Sequence, residues 1–196
     1  IIYMKKILAK FILKLLGWKI TGENVFPKKC VIIFAPHTSN WDFILGKCYA
    51  YVIGIQPKYL VKNELYFWPI SLFIKKNGGI PVDRSKSNSL VDQLTSMIKK
   101  EDKFMLTLSP EGTRRKVDKW KTGFYYVAKK ADVPLVLAFI DFKNKLLGSN
   151  KIIYDLTNFQ TVMNDIQDYY KNCNGKYPNQ FNQVIVQNVP NLVEMH

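Results

Sequence analysis

Six consecutive apolar residues, Cys30-Val31-Ile32-Ile33-Phe34-Ala35, constrain this chain more than any other stretch. A run so short and so rich in β-branched side chains reads as a buried strand, which requires other structure packed around it. The run stops at Pro36, and the chain turns polar through His37-Thr38-Ser39-Asn40-Trp41-Asp42. Ser39 and Asn40 offer caps for a helix that continues through Phe43-Ile44-Leu45-Gly46. His37 is therefore expected at a strand end beside a helix start, with Asp42 in the helix's first turn. Two roles are open to it. A carboxylate reaching back to one imidazole nitrogen would fix the tautomer and free the other nitrogen to take a proton from a hydroxyl. Alternatively, His37 simply caps the helix. The other histidine, His196, is the final residue.

The remainder alternates in the same way. Strands are expected at 18–21, 59–61, 104–108, 134–142 and 151–154, and helices at 87–100, 122–131 and 161–171. Asn77-Gly78-Gly79-Ile80-Pro81-Val82-Asp83-Arg84 reads as a turn, a brief strand and a charged end. The strand at 104–108 leads directly into Ser109-Pro110-Glu111-Gly112-Thr113-Arg114-Arg115. That loop combines a glycine allowing close backbone approach with a hydroxyl, a carboxylate and two guanidiniums, an inventory suited to holding a phosphate. Strands alternating with helices indicate one α/β domain. Past Gly175 the sequence carries little signal beyond Gln183-Val184-Ile185-Val186, which reads as an edge strand.

Charge narrows the partners. With 29 basic and 15 acidic side chains the chain carries +14, which favours lipid headgroups, phosphorylated substrates or nucleic acid. Only three of the basic residues are arginines, Arg84, Arg114 and Arg115, and all fall in the two motif-like stretches. Lysine supplies diffuse attraction, whereas the guanidinium fork matches phosphate or carboxylate oxygens, so the arginines point to a site. Three scattered cysteines, Cys30, Cys48 and Cys173, lack metal spacing and suggest a reducing compartment.

Residues 4–16 form an amphipathic pattern, with Ile7, Leu8, Phe11, Ile12, Leu15 and Leu16 at helical spacing and Lys5, Lys6, Lys10 and Lys14 between them. The lysines interrupt it too often for a membrane span or a signal-peptide core. Such a helix reads as a membrane-surface anchor, the alternative being a helix packed on the domain core. The chain is accordingly divided into a helix at 1–17 and an α/β domain at 18–196. The aromatic segment 65–74 is too apolar for a surface loop and is expected in the core, or else lining an acyl groove or dipping into lipid.

Four ordered stretches resemble the glycerolipid acyltransferases of the lysophosphatidate acyltransferase family. They are His37-x4-Asp42, Gly79-Ile80-Pro81-Val82-Asp83-Arg84, Pro110-Glu111-Gly112-Thr113-Arg114 and Val133-Pro134-Leu135-Val136, spread over about residues 30 to 140. The resemblance implies a central mixed, mostly parallel sheet flanked by helices. It further implies transfer of a fatty acyl group from a thioester, acyl-CoA or acyl carrier protein, to a hydroxyl of a lyso-glycerophospholipid such as lysophosphatidate. His37 would then be the general base and Asp42 its orienting partner. Arg84, Gly112, Thr113 and Arg114 would hold the acceptor phosphate, with Glu111 positioning the loop. Neither a metal nor a bound cofactor is implied, and the enzyme is expected at the cytoplasmic face of an anionic membrane as a peripheral protein of phospholipid biosynthesis.

The rival classes fare less well. The chain has no helix-turn-helix, zinc or RNA-sheet motif, so nucleic acid is not expected as a partner. No Gly-x-Ser-x-Gly elbow supports a serine hydrolase. An acyltransferase acting on another lyso-lipid, such as a lyso-ornithine lipid, and a non-catalytic binder of anionic lipid remain as alternatives.

Overall fold

The computed structural model describes residues 2–82 and 87–182. The chain runs α1 (Ile2–Leu15), β1 (Lys19–Thr21), β2 (Lys29–Ala35), α2 (Asn40–Ile53), β3 (Lys58–Lys62), α3 (Ile70–Lys76) and β4 (Gly79–Val82). It continues through α4 (Ser87–Lys100), β5 (Phe104–Leu108), α5 (Gly123–Ala131), β6 (Leu135–Asp141), β7 (Leu146–Ile153) and α6 (Phe159–Tyr170). Seven strands form one sheet in the order β1-β7-β6-β2-β5-β3-β4, with every neighbour parallel except β6 and β7. This is the α/β architecture the alternation indicates, a mostly parallel sheet flanked by helices.

The apolar run occupies the middle of the sheet, between β5 and β6. Successive side chains of a strand point to opposite faces, so a strand covered on both sides has no position left for a polar residue. Val31, Ile33 and Ala35 join one core with Leu106, Leu135, Leu137 and residues of α4, α5 and α6. Cys30, Ile32 and Phe34 join the other with Val136, Ala138 and residues of α1 and α2. Tyr170 ties the layers together, its buried hydroxyl lying 2.9 Å from the carbonyls of both Ile33 and Ala138.

Two expectations are corrected. The segment expected in the core instead exposes Phe67, Trp68, Ile70, Leu72 and Phe73, and only Ile74 of α3 is buried. The strand expected at 151–154 begins earlier, at Leu146, because Gly148, Ser149 and Asn150 hide the strand pattern in the sequence; Gly148 and Ser149 pair with Phe139 and Ala138 of β6, and the register shifts at Asn150. Gly148 must be glycine, since a Cβ there would stand 2.0 Å from the carbonyl oxygen of Thr21 in β1. Helix α1 packs through buried Ala9 and Leu13 against the core it shares with α2, while Ile7, Leu8, Phe11 and Leu15 stay exposed. The edge strand expected at 183–186 lies outside the described residues.

Candidate active site

Pro36 and His37 follow directly on β2, at the end from which parallel strands of an open α/β sheet present their loops to ligands. Ser39 is the N-cap of α2: its Oγ accepts the Trp41 N–H at 3.2 Å, and Asp42 reciprocates by accepting the Ser39 N–H at 2.7 Å. Such a capping box fixes the helix start and typically contributes about 1 kcal/mol. It also fixes Asp42. The same oxygen, Oδ2, accepts the Thr38 N–H at 2.7 Å and stands 3.1 Å from His37 Nδ1. Asp42 is 1% exposed and the His37 side chain 27%. With Nδ1 donating to the carboxylate, Nε2 is the ring nitrogen with a lone pair for an incoming proton.

The second loop reaches the first through Glu111. Its Oε1 accepts the His37 backbone N–H at 2.8 Å, and Ser109 Oγ donates to the Phe34 carbonyl at 3.0 Å. Glu111 is buried, and that burial pushes its carboxyl up to about 7, against the lowering effect of its backbone hydrogen bonds. Oε2 has no partner among the described residues. Gly112 follows in the left-handed region, at φ 65°, which turns the chain so that Thr113 and Arg114 emerge at the surface.

The structure thus brings together His37, Asp42 and Glu111, with Gly112, Thr113 and Arg114 on the loop that Glu111 anchors. Arg84 lies outside the described residues. Lys121, which nothing in the sequence singles out, comes to the same place. Its backbone N–H donates to the Pro110 carbonyl at 2.8 Å, and its side chain lies over Gly112, where a Cβ would stand 3.3 Å from Lys121 Cδ and Cε. Such a contact joins residues separated by a loop, and loops have no periodicity to betray it.

Behind Asp42, between α2 and the sheet, opens an almost wholly apolar cavity. Ile32, Phe34, Phe43, Gly46 and Ala50 contribute to its wall, with Lys47 among the residues lining it. Lys47 donates to the Asn77 carbonyl at 2.6 Å and sits over the Tyr59 ring, and burial with Lys5 nearby lowers its pKa to about 8.

A family described as Acyltransferase has a sequence model that matches residues 17–140, the span holding both loops. The crystal structure of the 1-acyl-sn-glycerophosphate (LPA) acyltransferase PlsC from Thermotoga maritima has the same fold, at a TM-score of 0.60 and 16% identity, covering 87% of this chain and 76% of that one. No curated protein matches the chain in sequence. The family read from the four ordered motifs is the one whose model covers well over half the chain and contains the paired loops, and the chain belongs to the acyltransferase family.

Proposed function

We propose that the protein transfers a fatty acyl group from a thioester, acyl-CoA or acyl carrier protein, to a hydroxyl of a lyso-glycerophospholipid such as lysophosphatidate. The observation that carries this is the His37–Asp42 pair, with Nδ1 held at 3.1 Å from a buried carboxylate and Nε2 left to act. A hydroxyl is a weak nucleophile until a base removes its proton as the new bond forms. In this reading Nε2 takes the acceptor's proton while its oxygen attacks the thioester carbonyl. Collapse of the tetrahedral intermediate breaks the C–S bond, and the imidazolium returns the proton to the departing thiolate. Asp42 keeps the ring in the useful tautomer and stabilises the cation formed midway.

The PlsC likeness is one of fold; the substrate assignment comes from the resemblance of the four motifs to the glycerolipid acyltransferases, and the residues of this chain are suited to it. Arg114 and Lys121 supply positive charge beside Gly112 and the Thr113 hydroxyl, a rim suited to an acceptor phosphate, with Arg84 the remaining residue proposed for it. Holding the phosphate presents the hydroxyl to the base and removes much of the entropic barrier. The apolar cavity beside Asp42 suits the donor's acyl chain. No described helix is long and apolar enough to cross a membrane. The exposed apolar side chains and lysines of α1 favour peripheral attachment to an anionic surface, which we place at the cytoplasmic face.

The test is a panel of lyso-lipid acceptors, lysophosphatidate and lyso-ornithine lipid among them, with a radiolabelled acyl thioester. His37→Ala should cut turnover about 10² to 10⁴-fold while leaving the melting temperature near the parent's, and Asp42→Asn should be severely impaired through the wrong tautomer. Near-normal turnover by purified His37→Ala, or no product with any acceptor, overturns the proposal.

A further inference from the structure

Beyond α6 the chain doubles back over the active-site end of the sheet. It is first tied to β6: the Asn174 N–H meets Asp141 Oδ1 at 3.3 Å, and the Phe142 N–H donates to the Asn174 carbonyl at 2.8 Å. It then crosses the His37 loop. Gly175 is buried so closely on Thr38 that a Cβ would lie 2.6 Å from Thr38 Cγ2 and 2.7 Å from its Oγ1. The Tyr177 N–H donates to that same Oγ1 at 3.3 Å, and Lys176 sits over the Trp41 ring. Finally it reaches the Glu111 loop. With its amide oriented as the surrounding carbonyls require, Gln180 Nε2 donates to the Thr38 carbonyl at 3.2 Å and to the Arg114 carbonyl at 2.7 Å. Phe181 packs near Trp120, and Asn182 donates to the Val117 carbonyl at 3.0 Å.

We propose that the strap at 174–182 is a positioning element of the catalytic site, holding the His37 loop and the Arg114 loop in register through Gly175 and Gln180. It lies outside the span matched by the family's sequence model. Thr38 is the shared point: it adjoins His37, its N–H feeds Asp42, and its side chain and carbonyl are both held by the strap. One side chain, Gln180, therefore spans the loop that holds the base and the loop proposed to hold the phosphate. The distance between those loops sets how the acceptor hydroxyl meets Nε2. Because misplacement by about 1 Å is enough to slow a reaction by about a hundredfold, such a bridge has kinetic weight beyond its small contribution to stability. Gln180 is exposed, which keeps that contribution small.

The inference rests on the proposed acyl transfer, so its test has one readout that needs no substrate. Gln180→Leu removes the bridge, and Gly175→Ala forces a methyl group against Thr38. Three measurements are made on each variant: kcat and KM with lysophosphatidate and an acyl thioester, the melting temperature, and the pH titration of the His37 imidazole by NMR. The sequence contains only two histidines, which keeps the last measurement simple. In Gln180→Leu, kcat should fall about tenfold or more, with donor KM and melting temperature near the parent's and the His37 resonances displaced. Gly175→Ala should displace them further. If wild-type protein acylates no lysophosphatidate, the resonances alone decide: displacement supports the strap's role and wild-type resonances overturn it. Wild-type kcat with unmoved resonances in Gln180→Leu also overturns it. So does a loss of activity that merely tracks the unfolded fraction while folded protein keeps wild-type resonances.

Discussion

Glu111 carries opposing demands in one side chain. Its Oε1 must accept the His37 N–H, which favours a carboxylate, yet its surroundings exclude water, which favours the neutral acid. Burial dominates, and the folded-state value near 7 lies above the ordinary 4.5. A carboxyl raised on folding stabilises the protein fully below its unfolded value, and that stability is lost as pH rises through the folded one. The wild type should therefore lose up to about 3 kcal/mol between about pH 4.5 and pH 7 relative to Glu111→Gln, whose amide oxygen accepts the same bond without titrating. Denaturant unfolding of both proteins across that range provides the comparison, and parallel stability curves would refute the argument. The contact between His37 and Asp42 was legible in the sequence because histidine, carboxylate and the Ser39 cap fall within six residues, where spacing alone brings them together. Glu111's hold on the His37 backbone was not, since it joins loops after two different strands and depends on β2 and β5 being neighbours.

At the scale of elements, α2 does two things at once. Its first turn orients His37, and its inward face forms a wall of the apolar cavity against β2. At Gly46 helix and strand side chain come close: a Cβ there would stand 3.3 Å from the Phe34 ring. With the cavity taking the donor's acyl chain, as proposed, filling that space should shorten the chain accepted. For Gly46→Val, each methylene denied burial costs about 0.8 kcal/mol, so kcat/KM for long-chain donors should fall about fourfold per excluded methylene while short donors are spared. A kinetic profile over donor chain length checks this, and an unchanged profile would place the acyl group elsewhere. Most elements were legible from periodicity, because a strand buried on both faces and a helix buried on one leave distinct patterns. The segment about α3 was misread because apolar residues are the usual material of cores, yet nothing forbids them at a surface. The strap left no local signature: its meaning lies in glycine and amide contacts with residues far off in the chain, which periodicity does not encode.

On the scale of the whole molecule, +14 of charge and two exposed apolar surfaces occur together. One surface belongs to α1, with Met4, Ile7, Leu8, Phe11 and Leu15; the other is formed by Phe67, Trp68, Leu72 and Phe73 in and before α3. Tyr51 of α2 relates them, since Lys5 of α1 lies over its ring and its hydroxyl reaches Asn77 at the end of α3. Asn77 also receives Lys47 from beside the cavity. A lipid surface meeting both patches would therefore lie near the cavity that the proposed function gives to the acyl chain. Attachment should then have two separable parts. Each lysine near an anionic surface contributes about 1 kcal/mol and is screened beyond a Debye length, so raising salt should release much of the bound protein from anionic vesicles. The apolar part should survive salt. Phe11 and Leu15 are 61% and 73% exposed, so Phe11→Ser with Leu15→Ser removes apolar contact with lipid while leaving the core face of α1, Ala9 and Leu13, untouched. The double variant should keep its melting temperature within a few degrees and lose its salt-resistant binding in vesicle sedimentation. A large fall in melting temperature with binding unchanged would mean that those side chains belong to the fold and that lipid is held elsewhere.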